Sequence, residues 1–289
     1  MTGTWLELRA EAYRALHSPG SRLVLASTAL VAAARVCGGF VAERIAAARR
    51  LTGAFAAGLE SPATTATANA YPPFLDGVAA GMAIAVLLSL AFAAATIAAE
   101  RDAGTIRLPI TRSVSRGGLL LAKAMFALLW AVALSAAAFL GAFLAAAAFY
   151  DFGPIVESRY EIFSAHEINR ELLKAALAAL PPLFASVGLG MLISSIARTG
   201  TEAVGITLVL YLMFDLFKDL AGDGKAFVFA TFNPAIVDRS LLHEVGQLAR
   251  GISTAGYSDK LLLLNLIVPI AQGLVFFGLA AVVFGRRRL

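Results

Sequence analysis

The sequence predicts an all-α membrane protein with six transmembrane helices, an amphipathic interfacial helix before them, and both termini in the cytoplasm. Hydrophobic residues make up 59% of the 289 residues, and the mean hydropathy is +0.78, whereas soluble domains contain roughly 45–50% apolar residues. A soluble fold of 30.1 kDa cannot bury that excess, so we expect it to face lipid. The chain also holds six long apolar stretches, and the segments between them differ in basic charge.

A helix needs about 20 residues to cross a hydrocarbon core of about 30 Å, and each of the six stretches is about that long or longer. They are residues 22–41, 75–98, 118–149, 173–196, 202–220 and 261–284, within one transmembrane domain spanning 1–289. Prolines at 181, 182 and 269 should kink the fourth and sixth helices.

Loop charge predicts the orientation in the membrane. Lysine and arginine are about twice as dense in one set of segments as in the other, and cytoplasmic loops carry that excess. The basic set comprises residues 1–22, 99–123, 197–203 and 285–289. We therefore expect a multi-pass protein of the cytoplasmic (inner) membrane, with a cytoplasmic loop at 99–117 and an extracytoplasmic segment at 221–260.

Three shorter helices are expected outside the six spans. In residues 1–20, Trp5, Leu8, Ala12 and Leu16 recur at steps of three and four, which indicates an amphipathic helix. It could lie in the membrane interface or pack as a soluble helix on its own loops. Residues 157–174 are expected to extend the fourth span as a partly helical segment, and 233–251 to form a short amphipathic helix.

Motifs for catalysis and metal binding are missing from the sequence. His166 and His243 each precede a glutamate, as in zinc proteases, but Arg170 and Gln247 stand where the second histidine must be. The sequence has neither a phosphate-binding glycine loop nor a nucleophile elbow. We expect no enzyme activity, no metal, no cofactor of its own and no nucleic-acid partner.

Three ionisable residues in or near the spans invite functional interpretations. Arg35 either marks an early end of the first span, with its side chain reaching outward, or it lines a pathway or pairs across the bundle. The nearest acid in sequence is Glu43. Asp215 and Asp219, beside Lys218, either form a cation-attracting outer mouth or cap an outer helix end in water.

The cytoplasmic loop between the second and third spans carries the most informative pattern. Gly104 is expected to end the preceding helix in a tight turn. The loop's arginines hold topology, and each could also contact anionic lipid at the inner membrane face. The charged and turn-forming residues of the loop include Glu100, Arg101, Asp102, Gly104, Thr105, Arg107, Arg112 and Arg116.

This loop resembles that of the ABC-2 family of ABC transporter permeases. The family shows a glutamate, a Gly-Thr pair, a Pro-Val-Ser-Arg-like turn and a later lysine. The matching residues are Glu100, Gly104, Thr105, Val114, Ser115, Arg116 and Lys123. Ser113 stands where the family often has proline. The six spans, the amphipathic start and the basic C-terminus extend the resemblance over nearly the whole chain.

The resemblance implies the membrane-spanning subunit of an ATP-driven exporter. Two cytoplasmic ATPase subunits would bind ATP and Mg, and a second permease copy or a paralogue would complete the translocation unit. The resemblance also implies that the loop docks on the ATPase, with candidate coupling residues Glu100, Arg101, Asp102, Gly104, Thr105, Arg107, Arg112 and Arg116. The substrate is not implied. Two alternatives stay open: a permease that transmits motion to an extracytoplasmic protein, as in nitrous-oxide reductase maturation, and an ion-coupled secondary transporter.

Overall fold

A computed structural model describes residues 2–56, 69–105, 115–157, 160–235, 238–252 and 258–286, and most of them are helical. The α-helices are α1 (Thr2–His17), α2 (Pro19–Ala56), α3 (Tyr71–Asp102), α4 (Arg116–Phe149), α5 (Ala165–Ala178), α6 (Leu180–Ile196), α7 (Gly200–Phe217), α8 (Leu241–Leu248) and α9 (Asp259–Arg286). Two 3₁₀ segments, Lys218–Phe227 and Phe229–Phe232, follow α7. The predicted all-α membrane architecture is confirmed.

One small β-hairpin departs from that prediction. Strands β1 (Ile155–Glu157) and β2 (Tyr160–Phe163) pair antiparallel where the sequence suggested the start of a helical extension. Helix α5 begins only at Ala165, because Ser164 and Glu167 form a capping box that fixes its first turn. The expected helix at 233–251 is also shorter and covers Leu241–Leu248.

Helix α3 lies at the centre of the bundle, in contact with α2, α4, α6 and α7. Small residues allow the close approach of its neighbours. A Cβ atom on Gly141 of α4 would lie 2.2 Å from the carbonyl oxygen of Ala29 on α2. In lipid, the hydrophobic effect does not drive helices together, because lipid tails are as apolar as the helix faces. Close packing of small residues therefore helps to hold such a bundle together.

Among the residues that the structure describes, five helical segments are long and apolar enough to cross a membrane: α2, α3, α4, α5 together with α6, and α9. Helix α7 corresponds to the predicted fifth span but is only 18 residues long, about 27 Å at 1.5 Å per residue. It is not among the five.

Large apolar side chains on the outside of these helices are exposed in the single chain. Those more than half exposed include Leu30, Leu129, Leu140, Val209, Leu274 and Val275. Exposed apolar surface spread over every side of a bundle is what lipid contact requires.

Prolines interrupt the fourth span as predicted. Helix α5 ends at Ala178 and α6 begins at Leu180, with Ala179 between them still in helical geometry. Pro181 and Pro182 lie in the first turn of α6, where a missing backbone N–H costs least. Pro269 lies inside α9, which continues through it.

The 3₁₀ segments after α7 pack back into the bundle. Phe229 and Phe232 are buried, and the side chain of Gln272 on α9 accepts from the Phe229 backbone N–H at 3.0 Å and donates to the Phe227 carbonyl at 2.7 Å. Irregular backbone at membrane depth needs such protein partners. Within the segment predicted to lie wholly beyond the spans, the stretch Phe229–Phe232 is therefore buried against the helices.

The two ends of the bundle differ in charge. At one end, which we call the basic end, Arg101 of α3 donates to the Ala197 carbonyl and Arg116 of α4 donates to the Gly285 carbonyl. The β-hairpin and α8 lie toward the other end, which we call the loop end. Between Asp76 and Glu100, α3 carries no charged residue, and this 24-residue step rises about 36 Å.

Replacing Gly141 by alanine tests the close contact of α2 with α4. The added methyl group would meet the Ala29 backbone, so we expect a loss of about 1–3 kcal/mol in stability, measured as thermal unfolding in detergent. Gly278→Ala is the matched control, because no atom lies within 4 Å of its Cβ position. Equal stability of the two variants would contradict this packing.

Candidate functional site

A buried lysine joins three helices near the basic end. Lys123, on the second turn of α4, has a side chain only 1% exposed. Its Nζ donates to Glu11 Oε1 at 2.8 Å and to Glu100 Oε1 at 2.7 Å. Glu11 comes from α1 and Glu100 from the last turn of α3. We call these three residues the Lys123 cluster.

The cluster shows that the packed face of α1 is not purely apolar. Leu8 and Ala15 pack toward Phe126 and Trp130, while Glu11 points from the same side at Lys123. Of the predicted apolar stripe, Trp5 and Leu16 are instead exposed. A helix is present where the amphipathic helix was predicted, but the side that packs on the protein differs from the predicted stripe and includes a carboxylate.

Two more ionisable groups surround the cluster. Arg14 Nη1 lies 3.5 Å from a carboxylate oxygen of Glu11 and 3.5 Å from one of Glu100. Glu7 lies one turn before Glu11, and burial raises the pKa of its carboxyl; Lys123 opposes that shift, while the carboxylates of Glu11 and Glu100 add to it. Within the described residues, three carboxylates therefore face two cations here.

Glu100 also fixes the path of the chain as it leaves α3. Its backbone carbonyl accepts from the Thr105 N–H at 3.0 Å, and the intervening Gly104 has φ +69°. That positive φ favours glycine, so the predicted tight turn at Gly104 is confirmed. Asp102 and Thr105 are exposed just before the loop. Glu100 thus belongs to the Lys123 cluster through its side chain and sets the start of the predicted cytoplasmic loop through its backbone carbonyl.

The two described loop arginines bind backbone carbonyls of other helices. Arg101 donates to the carbonyls of Ala197 at 2.6 Å and Ser195 at 3.4 Å, and Arg116 donates to that of Gly285 at 3.2 Å. Cations at helix C-termini complement the helix dipole. Both arginines therefore tie helix ends together. Arg107 and Arg112 lie outside the described residues.

Arg35 pairs across the bundle at the loop end. Its Nη2 donates to Asp76 Oδ2 at 3.0 Å, and Arg250, after α8, donates to the other oxygen of the same carboxylate. Glu43, the acid nearest to Arg35 in sequence, instead accepts from the Tyr150 hydroxyl at 3.1 Å. Arg35 is thus level with the first turns of α3 and not in the middle of an apolar layer.

Asp215 and Asp219 do not share a surface, which corrects the idea of a joint outer mouth. Asp215 is 1% exposed and its Oδ1 accepts from Lys218 Nζ at 2.7 Å. Asp219 is partly exposed and lies 3.5 Å from Lys225 and from Arg239. The 3₁₀ segment after α7 folds over Asp215, so this carboxylate is not at a helix end in water.

Other polar groups line the inner side of α7 below this ion pair. Thr207 and Tyr211, at four-residue steps before Asp215, are buried, and Tyr211 faces the side chain of Asn233. Asn233 donates to Ser186 Oγ at 2.9 Å. The polar stripe on α7 is therefore interior to the bundle.

Sequence reasoning missed Lys123 and Asp76 as site residues, although both carried a usable signal. Lys123 is an ionisable residue a few positions inside a long apolar stretch, which by itself marks a candidate functional position in a membrane protein. Asp76 lies near the start of another such stretch. Their partners, Glu11 and Arg250, are far away in sequence and could not be paired without the fold.

A bundle of long apolar helices with exposed apolar sides defines a multi-pass membrane protein. Residues 20–289 match the family described as ABC-2 family transporter protein. The chain therefore belongs to the ABC-2 transporter family, whose members are transmembrane components that work with ATPase subunits and are not ATPases themselves. No curated protein gives a significant match to the chain.

Replacing Lys123 by methionine tests the Lys123 cluster. Two largely buried carboxylates would lose their cation, so we expect a loss of roughly 3 kcal/mol in stability, measured by thermal unfolding in detergent. The triple variant Lys123→Met, Glu11→Gln and Glu100→Gln should recover much of that loss, because the two carboxylates that bind Lys123 are then neutral as well. A triple variant no more stable than Lys123→Met would show that the charges are not the cause.

The raised pKa of Glu7 predicts a pH dependence. A carboxyl whose pKa is raised by folding binds more protons in the native state, so stability falls as pH rises from the ordinary pKa through the raised one. Glu7→Gln should therefore be more stable than the wild type at neutral pH and equal to it near pH 4. Unfolding curves of both proteins over this range give the measurement. A constant difference at all pH values would contradict it.

Proposed function

We propose that this chain is the permease subunit of an ATP-driven ABC-2-type exporter in the cytoplasmic membrane. The observation that carries the proposal is the Lys123 cluster, at the point where α3 leads into the candidate coupling loop. The family assignment and the loop resemblance support the same function. A separate ATPase would hydrolyse ATP with Mg, and this chain would convert its motion into export of a substrate.

The contacts at the basic end form a route for that motion. A push on residues 106–114 would reach the turn at Thr105, which is bonded to Glu100. Glu100 is held by Lys123 of α4, which also holds Glu11 of α1. Arg101, the next residue, binds the carbonyls that end α6. Displacing the loop would therefore move α1, α3, α4 and α6 together.

The proposed topology has six spans, with the basic end in the cytoplasm. Helix α6 ends beside Arg101 at the basic end, and α7 starts there, because a Cβ on Gly200 would lie 3.0 Å from Ala99. Helix α9 begins at the opposite end and returns to Gly285 beside Arg116. Helix α7 with its 3₁₀ cap would serve as the fifth crossing. The arginine-rich basic end follows the positive-inside rule.

A translocation unit would contain two ATPase subunits and a second permease, either a copy of this chain or a paralogue. The described helices leave broad apolar surfaces exposed. A second permease would cover part of them, and lipid would cover the rest.

Charge reversal in the loop tests ATPase coupling. We expect Arg107→Glu with Arg112→Glu to weaken co-purification with the ATPase encoded beside this chain by roughly tenfold, from two lost surface charge contacts of up to about 1 kcal/mol each. Arg101 is kept, because its carbonyl bonds make it structural. The readouts are ATPase retained on the tagged permease and ATP hydrolysis by the complex in nanodiscs.

Arg170→Glu, an exposed arginine of α5 at the loop end, is the matched control and should change neither readout. If the double variant inserts correctly, keeps its ATPase and hydrolyses ATP at the wild-type rate, the loop is not the coupling element. If no ATPase co-purifies even with the wild type, the proposed function itself fails.

A further inference from the structure

Two arginines and one carboxylate meet at the surface of the loop end. Asp76 Oδ2 accepts from Arg35 of α2, and Asp76 Oδ1 accepts from Arg250 after α8. A second bond, from Arg250 Nη1 to the Gly246 carbonyl at 3.0 Å, holds that guanidinium in place. We call Arg35, Asp76 and Arg250 the arginine pair site.

The site has an excess of positive charge. One carboxylate balances one arginine, so the three side chains carry a net charge of +1. Each guanidinium has five N–H donors, and in the part of the chain that the structure describes only one of Arg35 and two of Arg250 have protein partners. The remaining donors are accessible, since the Arg35 and Arg250 side chains are 51% and 38% exposed.

The depth of the site matches a lipid headgroup layer. Asp76 lies about 36 Å along α3 from Glu100, at 1.5 Å per residue, with no charged residue between them. A hydrocarbon core is about 30 Å thick and the bilayer with its headgroups about 40–45 Å. If the Lys123 cluster lies at one face of the membrane, the arginine pair site lies at the headgroups of the other.

The surface next to Arg35 is suited to a lipid molecule. Leu30 and Val31, about one turn toward the basic end, are exposed apolar residues that an acyl chain would cover. Gly38 and Gly39, one turn in the other direction, have no atom within 4 Å of their Cβ positions, so a headgroup has room beside the guanidinium. A phospholipid site needs an apolar surface for the acyl chain and N–H donors for the phosphate, and both are present beside Arg35.

From this arrangement we propose that Arg35 and Arg250 bind the phosphate of an anionic membrane phospholipid, with Asp76 fixing the two guanidinium groups. The chemistry is that of phosphate recognition by paired arginines. An inorganic phosphate ion could offer the same oxygens, but the lipid-exposed position favours the headgroup. The proposal needs the membrane-facing location alone and does not depend on the exporter function.

The test uses the full chain in nanodiscs made of phosphatidylcholine with increasing fractions of phosphatidylglycerol. We expect the anionic lipid to stabilise the wild type against thermal unfolding. Arg35→Gln and Arg250→Gln should each require about fivefold more phosphatidylglycerol for the same stabilisation, as follows from about 1 kcal/mol per arginine at an anionic surface. Arg44→Gln is the matched control: Arg44 is an exposed α2 arginine that stacks on Phe40, and it should leave the response unchanged.

Asp76→Asn separates lipid binding from simple ion pairing. If the two arginines only form ion pairs with Asp76 and do not bind lipid, Arg35→Gln has no effect on the lipid response in the Asp76→Asn background. That result would overturn the proposal. We expect instead that Asp76→Asn keeps the response and that adding Arg35→Gln still weakens it. Inorganic phosphate added to phosphatidylcholine nanodiscs should not stabilise the wild type. Stabilisation equal to that by phosphatidylglycerol would make the ligand a free anion and not a lipid.

Discussion

Lipid as the surrounding solvent is the constraint on which the rest of this structure depends. A charge can exist in such a chain only at a membrane face or in contact with an opposite charge, because its desolvation costs several kcal/mol. Lys123 meets that requirement through Glu11 and Glu100. Asp215 meets it through Lys218, and Arg35 through Asp76. The charged side chains therefore mark where the helices are joined.

The same constraint gives the protein its mechanical connections. Separating a buried ion pair leaves unpaired charge, which is costly in addition to any packing that is lost. The Lys123 cluster therefore couples α1, α3 and α4 more firmly than packing alone. It does so one turn before Gly104, where the chain leaves the bundle toward the candidate coupling loop. A transporter that receives force from a separate ATPase needs a rigid connection at this point.

The irregular segment after α7 is held to the bundle by polar contacts. Helix α7 is short, and the irregular 3₁₀ backbone after it packs against the bundle. The Gln272 side chain bonds Phe227 and Phe229, and Lys218 bonds Asp215. Together with Tyr211 and Asn233, these contacts give the α7 side of the bundle a polar interior. This interior distinguishes it from the small-residue packing of α2, α3 and α4.

The sequence by itself determined the membrane class, five described segments that are long and apolar enough to cross, the turn at Gly104 and the family, because each rests on local hydropathy or on residues close together in the chain. Only the tertiary structure decided that Lys123 binds Glu11, that Asp76 joins Arg35 to Arg250, and that Asp215 is buried away from Asp219. Helical periodicity tells which residues share a face, but not which neighbouring helix that face meets. Partners separated by more than a hundred residues, such as Glu11 and Lys123, become predictable only once the packing order of the helices is known.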